Sequence, residues 1–554
     1  MKNLISIISA GLVACSSLAL SSCSESFLDV SSKTEPNTGN YYKNESQAWR
    51  ALLGCYDGWR QISSTNGGYP FYIASTVMGD ECYGGAGAGD DWKGQVIDRF
   101  DQTISGSETN IYSDLWKASY AAIYRCNMLI NAEQSIVWTD EAKHKLYMAE
   151  ARALRALTYF DLVRMFGNIP LFLEASTENR EQTDPAIVYA SIFDDLRFAI
   201  DNIPADAYTD AASHGHITRY AAESIFARAY LFYSGYYGKD PAYSDGTSIS
   251  RQDALDAVED VISSQRFSLV TEFKNLWPAA SLVANPDAVG WDTEKSTYAG
   301  DANSEIVLAQ LFTPTQDYNG NNDANRWLVN MGLRNVNSTP YGKGWGFCTV
   351  SPVFFRTNFV PQDQRRAASV IEIETEKVDE AEGFEASVND WREYTGLCVK
   401  KYTPMVFANG KPATSPDGSA DFMINNAQPW VIVRYADVLL MAAELGSPNA
   451  ANYLHMIRSR AGLPDVSATK QNILDERARE LAFEGVRYWD LLRQGVEVMA
   501  DAVVASGGNV LSGGNTETVT YNRERIIATK GLSQIPLNQI TLSNGVLKQN
   551  AGWY

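Results

Sequence analysis

The stretch Glu150-Ala-Arg-Ala-Leu-Arg-Ala-Leu-Thr-Tyr-Phe-Asp161, followed shortly by Gly167-Asn168-Ile169-Pro170, decides the fold class of this chain. Ala149, Ala153, Ala156, Leu157, Phe160 and Val163 recur every three or four residues, the spacing of one helical face, and the Gly-Asn-Ile-Pro run stops the pattern. Small side chains on that stripe let a neighbouring helix approach closely. A similar pattern begins at Thr218, a good N-cap, and runs through Ala221, Ala222, Ile225, Phe226, Ala229 and Phe232, with shorter ones over 186–202 and 252–264. Paired amphipathic segments of this kind predict a mainly α fold: a helical-hairpin, tetratricopeptide-like repeat scaffold, although no strict period of about 34 residues survives.

Outward from this scaffold, residues 267–429 change character. Gly, Asn, Pro, Thr and aromatic residues dominate there, with short strand-like runs such as 305–312. The segment reads as a loop-rich excursion carried by the helices. Helical patterns return over 434–444, 453–460 and 473–493. In the last of these, Arg477 and Glu480, Glu484 and Arg487, and Asp490 and Arg493 stand three apart beside an apolar face of Leu474, Ala478, Leu481, Ala482, Trp489 and Leu492. Such charges predict packing clamps rather than catalytic acids. Trp116, Trp430 and Trp489, in or beside helical runs, are expected in the core.

The N-terminus predicts a location. Lys2 supplies a positive start, residues 4–20 an apolar run, and Leu20-Ser21-Ser22-Cys23 a cut site ending in cysteine, the layout of a bacterial lipoprotein leader. Residues 1–22 are then removed and Cys23 is acylated, each buried CH₂ contributing roughly 0.8 kcal/mol to membrane attachment. Residues 23–45 hold the acylated cysteine and a polar linker containing Pro36 and Gly39, and residues 46–554 form a single domain, scaffold over 46–266 and 430–500 with the excursion at 267–429. Of seven cysteines, Cys55, Cys82, Cys126, Cys348 and Cys398 remain, in which no disulfide framework or zinc spacing is legible. With 66 acidic against 46 basic residues and a net charge of −20, nucleic acid is excluded as a partner, because its binding needs Lys and Arg to neutralise phosphates.

Several segments in order resemble the SusD/RagB family of Bacteroidetes outer-membrane nutrient-binding lipoproteins. They are the Cys23 leader with its acidic follower, Trp116-Lys-Ala-Ser-Tyr-Ala-Ala-Ile-Tyr-Arg-Cys-Asn127, residues 150–161 ending in Phe166-Gly-Asn-Ile-Pro170, Arg434-Tyr-Ala-Asp437, Ile457-Arg-Ser-Arg-Ala-Gly462, Glu476-Arg-Ala-Arg-Glu-Leu-Ala-Phe-Glu-Gly485, Tyr488-Trp-Asp-Leu-Leu-Arg493 and the proline-containing tail. The excursion matches least. Ile535 stands before Pro536 where the family commonly has proline, and Cys126 replaces a usual small residue. The resemblance implies a surface-exposed lipoprotein, lipid-anchored in the outer membrane, that binds a glycan and delivers it to a SusC-like TonB-dependent transporter. It implies no catalysis and no cofactor. The alternatives are a peptide- or protein-capturing lipoprotein of the same architecture and a helical glycosidase.

A sugar offers an apolar C–H face that packs on aromatic rings and hydroxyls that need donors and acceptors, so loop aromatics beside Asp, Asn or Arg are the candidates. Gly79-Asp-Glu-Cys-Tyr-Gly-Gly-Ala-Gly-Ala-Gly-Asp-Asp-Trp92 has that composition, with a glycine hinge, Tyr83 and Trp92 as platforms and Asp90 and Asp91 as acceptors. In the family, the loop after a Gly/Ser-Asp-Glu sequence often contributes to glycan binding, which this segment resembles. The excursion adds Trp327 with Arg326, Trp345 and Tyr394, for which the competing reading is packing beneath long loops. Asp317, Asn319, Asn321, Asp323 and Asn325 alternate like the start of a calcium loop but lack its glycine and its final glutamate, so no metal is expected. The four histidines, His144, His214, His216 and His455, form no catalytic spacing, and adjacent acids such as Asp80 with Glu81 or Asp90 with Asp91 are poorly placed for glycoside hydrolysis.

Overall fold

The alanine-rich stretch lies inside a 26-residue helix, Glu141–Phe166, started by the Asp140 carboxylate on the backbone N–H groups of Ala142 and Lys143 and ended by Gly167 at φ 69°. The computed structural model describes residues 41–64, 68–210, 213–281, 296–313, 324–406, 412, 422–424 and 426–553; the leader, Cys23 and the linker through residue 40 lie outside them. From Tyr147 to Phe166 nearly every residue of the helix is buried, including Glu150, Arg155 and Arg164. It is a central helix covered on several sides rather than an amphipathic one with a single packed stripe.

Among the described residues nine helices carry the scaffold: α1 (Glu45–Ser63), α2 (Ser113–Asn131), α3 (Glu141–Phe166), α4 (Pro185–Asn202), α5 (Arg219–Tyr237), α6 (Arg251–Ser263), α7 (Tyr435–Leu445), α8 (Ala450–Arg460) and α9 (Lys470–Glu480). Each packs on the next along the series, and α6 packs directly on α7 although about 170 residues of chain separate them. The array therefore continues across the excursion. Local chemistry sets the starts: Thr218 caps α5 through the Ala221 N–H, Ser250 and Asp253 form a capping box on α6, and Asp184 with Pro185 opens α4.

The strands are short and occur in pairs. β1 (Cys82–Gly85) pairs antiparallel with β3 (Phe347–Val350), β2 (Ile306–Gln310) with β6 (Trp430–Arg434), β4 (Val370–Glu372) with β5 (Leu397–Val399), and β7 (Gly508–Ser512) with β8 (Asn515–Val519). The pattern at 305–312 is thus a strand, and its partner β6 leads directly into α7, which ties the excursion to the scaffold. The β7–β8 hairpin was not anticipated, although its turn, Gly513-Gly514 with φ of 56° and 74°, has the residues that a tight hairpin favours.

The expected helix over 473–493 is broken. α9 ends at Glu480 and a new helix runs only from Arg487 to Leu492, because Phe483 and Gly485 take left-handed backbone conformations. Charge explains the break. Of the three spacings read as ion pairs, Asp490 with Arg493 forms at 2.8 Å, while the other charges turn to distant partners. Glu480 meets Arg365, Arg434 and Arg460; Arg477 meets Asp437 and Asp490; Glu484 meets Lys401 and Arg434; Arg487 meets Asp80. Their clamping role stands, with partners drawn from β6, α7, α8 and the excursion. Trp116, Trp430 and Trp489 are core residues. Among the described residues no helix is long and apolar enough to cross a membrane.

Candidate functional site

The glycine-rich segment forms a rigid corner rather than a hinge. β1 lies beside the short helix Lys93–Asp98 so closely that a Cβ on Gly84 would stand 2.6 Å from the backbone of Gly94, and one on Gly87 would overlap the Arg334 guanidinium at 1.8 Å. The glycines serve close approach. Beyond β1 the backbone stays paired: Ala86 N–H donates to Gly346 O and Ala88 N–H to Asp390 O. The Glu393 carboxylate, buried and paired with Arg99, accepts from the Gly85 N–H at 2.9 Å and from Gln95 Nε2 at 3.0 Å.

Two arginines hold the tip. Arg392 donates to the carbonyls of Ala88, Asp90 and Asp91 at 2.7–2.9 Å and lies over the Trp92 ring, 3.9 Å from its centroid. Burial lowers its pKa from the usual guanidinium value, yet the three carbonyls and nearby acids keep it a cation. Arg334 donates to Asp90 and Asp390 at 2.8 Å and to the Trp345 carbonyl at 3.3 Å, joining the loop to the Gly344-Trp345-Gly346 turn. Trp92 is left 43% exposed on this fixed base, with the Asp91 carboxylate and Lys93 paired beside it at 2.9 Å. Glu108, whose pKa burial and the Asp91 charge raise, lies near the Trp92 backbone.

The expected platforms divide. Tyr83 is fully enclosed: its hydroxyl donates to Ser506 O at 2.6 Å and its ring packs on Val510 and Val519. Trp327 is also 0% exposed, inside a cluster with Tyr72, Tyr402 and Trp430. Both are corrected to core residues; strand pairing and the helix starting at Arg326 turn them inward, which turn-rich flanks did not reveal. Asp90 is committed to Arg334 and to the Gly87 N–H at 2.8 Å, so it shapes the loop instead of standing free as an acceptor. Trp345 is half-buried with the Arg326 guanidinium 4.6 Å from its ring centroid. Tyr394 is half-buried against Trp391 and Phe384. It lines an open cleft of about 480 Å³ between β4, β5 and the β7–β8 hairpin, with Glu374, Thr395, Asn509 and Thr516 as polar neighbours.

Asp90, Asp91, Trp92, Trp345 and Tyr394 are therefore brought to one region through Arg334, Trp391 and Arg392. The two arginines went unnoticed as anchors, although Arg392 lies between the aromatics Trp391 and Tyr394. Most of the calcium-like run, Asp317, Asn319, Asn321 and Asp323, lies outside the described residues, while Asn325 is buried and caps the helix of Trp327. Among the described residues no group of acids, histidines and cysteines is arranged to hold a metal. Asp80 is taken by Arg487 and Glu81 is enclosed, accepting from the Phe483 N–H, with burial pushing its pKa up to about 8. His216 is held by Glu150 at 2.7 Å between the rings of Trp49 and Tyr208.

Comparison with known proteins fits this architecture. A family model described as SusD family matches residues 304–553, and another described as starch-binding associating with outer membrane matches residues 91–231. SusD-like protein P2 of Formosa agariphila is 26% identical over 429 residues, 70% of this chain and 72% of its own, and SusD-like protein P38 of the same organism is 24% identical over 532 residues, 90% and 94%. Among solved structures, a laminarin binding SusD-like protein superposes with a TM-score of 0.71 at 24% identity, covering 92% of this chain and 99% of that one. Surface glycan-binding protein A from Bacteroides thetaiotaomicron, in complex with laminarihexaose, gives 0.70 at 20% identity over 92% and 100%. With matches spanning both the helical array and the excursion, these comparisons support a SusD/RagB family protein.

Proposed function

We propose that this protein captures glycan chains at the outer surface of the cell, tethered through an acylated Cys23, and passes them to a SusC-like TonB-dependent transporter. The observation that carries the reading is Trp92, an indole held open on a loop whose backbone is fixed by Arg392, Arg334 and Glu393. An aromatic face that needs no ordering on binding loses little entropy when a sugar ring stacks on it. Asp91, Lys93 and Glu108 stand near enough to serve hydroxyls, and the Tyr394 cleft offers a second platform on the same side of the excursion.

The protein acts by binding. Asp80, Glu81 and Asp90 are engaged in holding the fold, which removes them as a glycosidase pair. Family membership and the outer-membrane association in one family description support the location, and the glycan complexes of similar structures support the ligand class. The test is calorimetric titration of the mature protein with a polysaccharide panel beginning with laminarin, alongside mixed peptides and an assay for released reducing ends. Saturable binding of one polysaccharide without turnover is expected. Peptide binding alone, or sustained release of reducing ends, would overturn the proposal.

A further inference from the structure

Cys126, the residue that departs from the family pattern, does not stand alone. It lies on α2, which packs directly on α1, and it is the largest influence on the Cys55 thiol of that helix; both residues are essentially without solvent exposure. The helices are drawn together on either side of the pair. One turn away, a Cβ added to Gly58 would stand 3.1 Å from the Ala122 Cα, tighter than nearly all Cβ contacts, so glycine favours this approach. At the adjoining position, Arg125 of α2 donates to Gly54 O at 3.0 Å and to the Asp57 carboxylate at 2.7 Å, both on α1. These contacts hold one antiparallel register, in which Cys55 and Cys126 occupy opposed positions on the two helices.

We propose that Cys55 and Cys126 form a disulfide that staples α1 to α2 in the exported protein, an inference that rests on the export reading above. The oxidant is a disulfide-bearing exchange partner of the cell envelope, R–S–S–R. One cysteine thiolate attacks it and releases R–SH. The second then attacks the mixed disulfide, forming the Cys55–Cys126 bond and releasing the other R–SH, so two thiols are oxidised as one disulfide is reduced. The reaction belongs to folding. In the folded but still reduced protein the neighbouring Cys126 and burial raise the Cys55 thiol well above its usual pKa, and the site is closed to solvent. Cys82 and Cys348 lie on the paired strands β1 and β3 but are not opposed, Cys82 standing against Val350 in the register, and with buried Cys398 they are expected to stay reduced.

The experiment is alkylation with iodoacetamide in denaturant without reductant, followed by peptide mapping, on protein recovered from the membrane fraction of its own cells. The expected result is a linked peptide containing Cys55 and Cys126, lost on reduction, with Cys82, Cys348 and Cys398 fully alkylated. Alkylation of both Cys55 and Cys126 in membrane-associated protein overturns the proposal, as does a link to any other cysteine. If the chain is found in the cytosol, the export reading fails separately. Refolding in a glutathione redox buffer then decides: formation of the same link upholds the pairing and its absence overturns it. The thermal midpoint of wild type refolded with reductant should fall several degrees below that of the oxidised form, while the Cys55→Ala/Cys126→Ala variant should show no such difference.

Discussion

The Glu480 network and the Trp92 loop are both built on arginine, to opposite ends. Around Glu480, the guanidinium groups of Arg365, Arg434 and Arg460 converge on one fully buried carboxylate, with Glu305, Glu476 and Glu484 balancing them. Around Trp92, Arg334 and Arg392 spend most of their donors on loop carbonyls and on Asp90 and Asp390, and leave a ring facing outward. In the first region every charge needs its partner because no water is available; in the second the backbone is fixed so that one side chain stays unengaged. Stability and recognition should therefore respond separately to mutation.

The largest expected effect is at the network. Glu480→Ala removes the carboxylate shared by three buried guanidinium groups, leaving more positive charge than Asp363, Glu305, Glu476 and Glu484 were arranged to balance, and should cost about 3–5 kcal/mol, read as a lower urea midpoint. Burial alone would raise the Glu480 pKa, but the Arg460, Arg434 and Arg365 charges outweigh it and hold the carboxyl well below its ordinary range, as Arg477 and Arg228 do for Asp437. Because the folded pKa is depressed, this stabilisation is present above the unfolded value near 4.5 and is lost as pH falls through the folded one. Acid unfolding monitored by circular dichroism should begin below about pH 4.5 and be shallower in Glu480→Gln.

Glu81 should show the opposite slope. Its folded pKa of about 8 lies above the model-compound value of 4.5, so the protonated form favours folding and that contribution is lost as pH rises from 4.5 through 8. Glu81→Gln should flatten this part of the stability profile and stabilise the protein at pH 8 by on the order of 1 kcal/mol or more, read as a higher thermal midpoint. A wild-type profile that stays flat across the window would remove Glu81 as its source.

At the loop the effects move to binding. Trp92→Ala should weaken glycan affinity by more than about 1 kcal/mol while leaving stability within about 0.5 kcal/mol. Unchanged affinity would shift the site toward the Tyr394 cleft. A smaller effect on binding is expected from Gly87→Ala, whose methyl collides with Arg334. It should displace the loop tip and lower affinity severalfold, with a stability loss of about 1 kcal/mol. Equal losses of stability and binding in Trp92→Ala would break the separation between the two regions.

Spacing and caps were enough to read the helices. The starts at Thr218 and Pro185 and the stop at Gly167 depend on side chains within a few residues of the backbone they satisfy, and that information is local. The ordered motifs carried the family likewise. The candidate site was legible in part: the loop and Trp92 were found by composition, but Tyr83 and Trp327 sit in similar glycine- and turn-rich surroundings and point inward. What separates them is the pairing of β1 with β3 and the packing of the Trp327 helix on Tyr72 and Trp430, contacts across hundreds of residues.

Helical periodicity, end signals and the family pattern are written in the chain because each is a relation between near neighbours or a recurring string. The partners of Glu480, Glu484 and Arg487, the break after Glu480, and the choice of Trp92 as the ring left open belong to the tertiary structure alone. A buried charge or a ring takes whichever partner the fold brings within a few ångströms, and distance along the sequence carries almost no record of that choice.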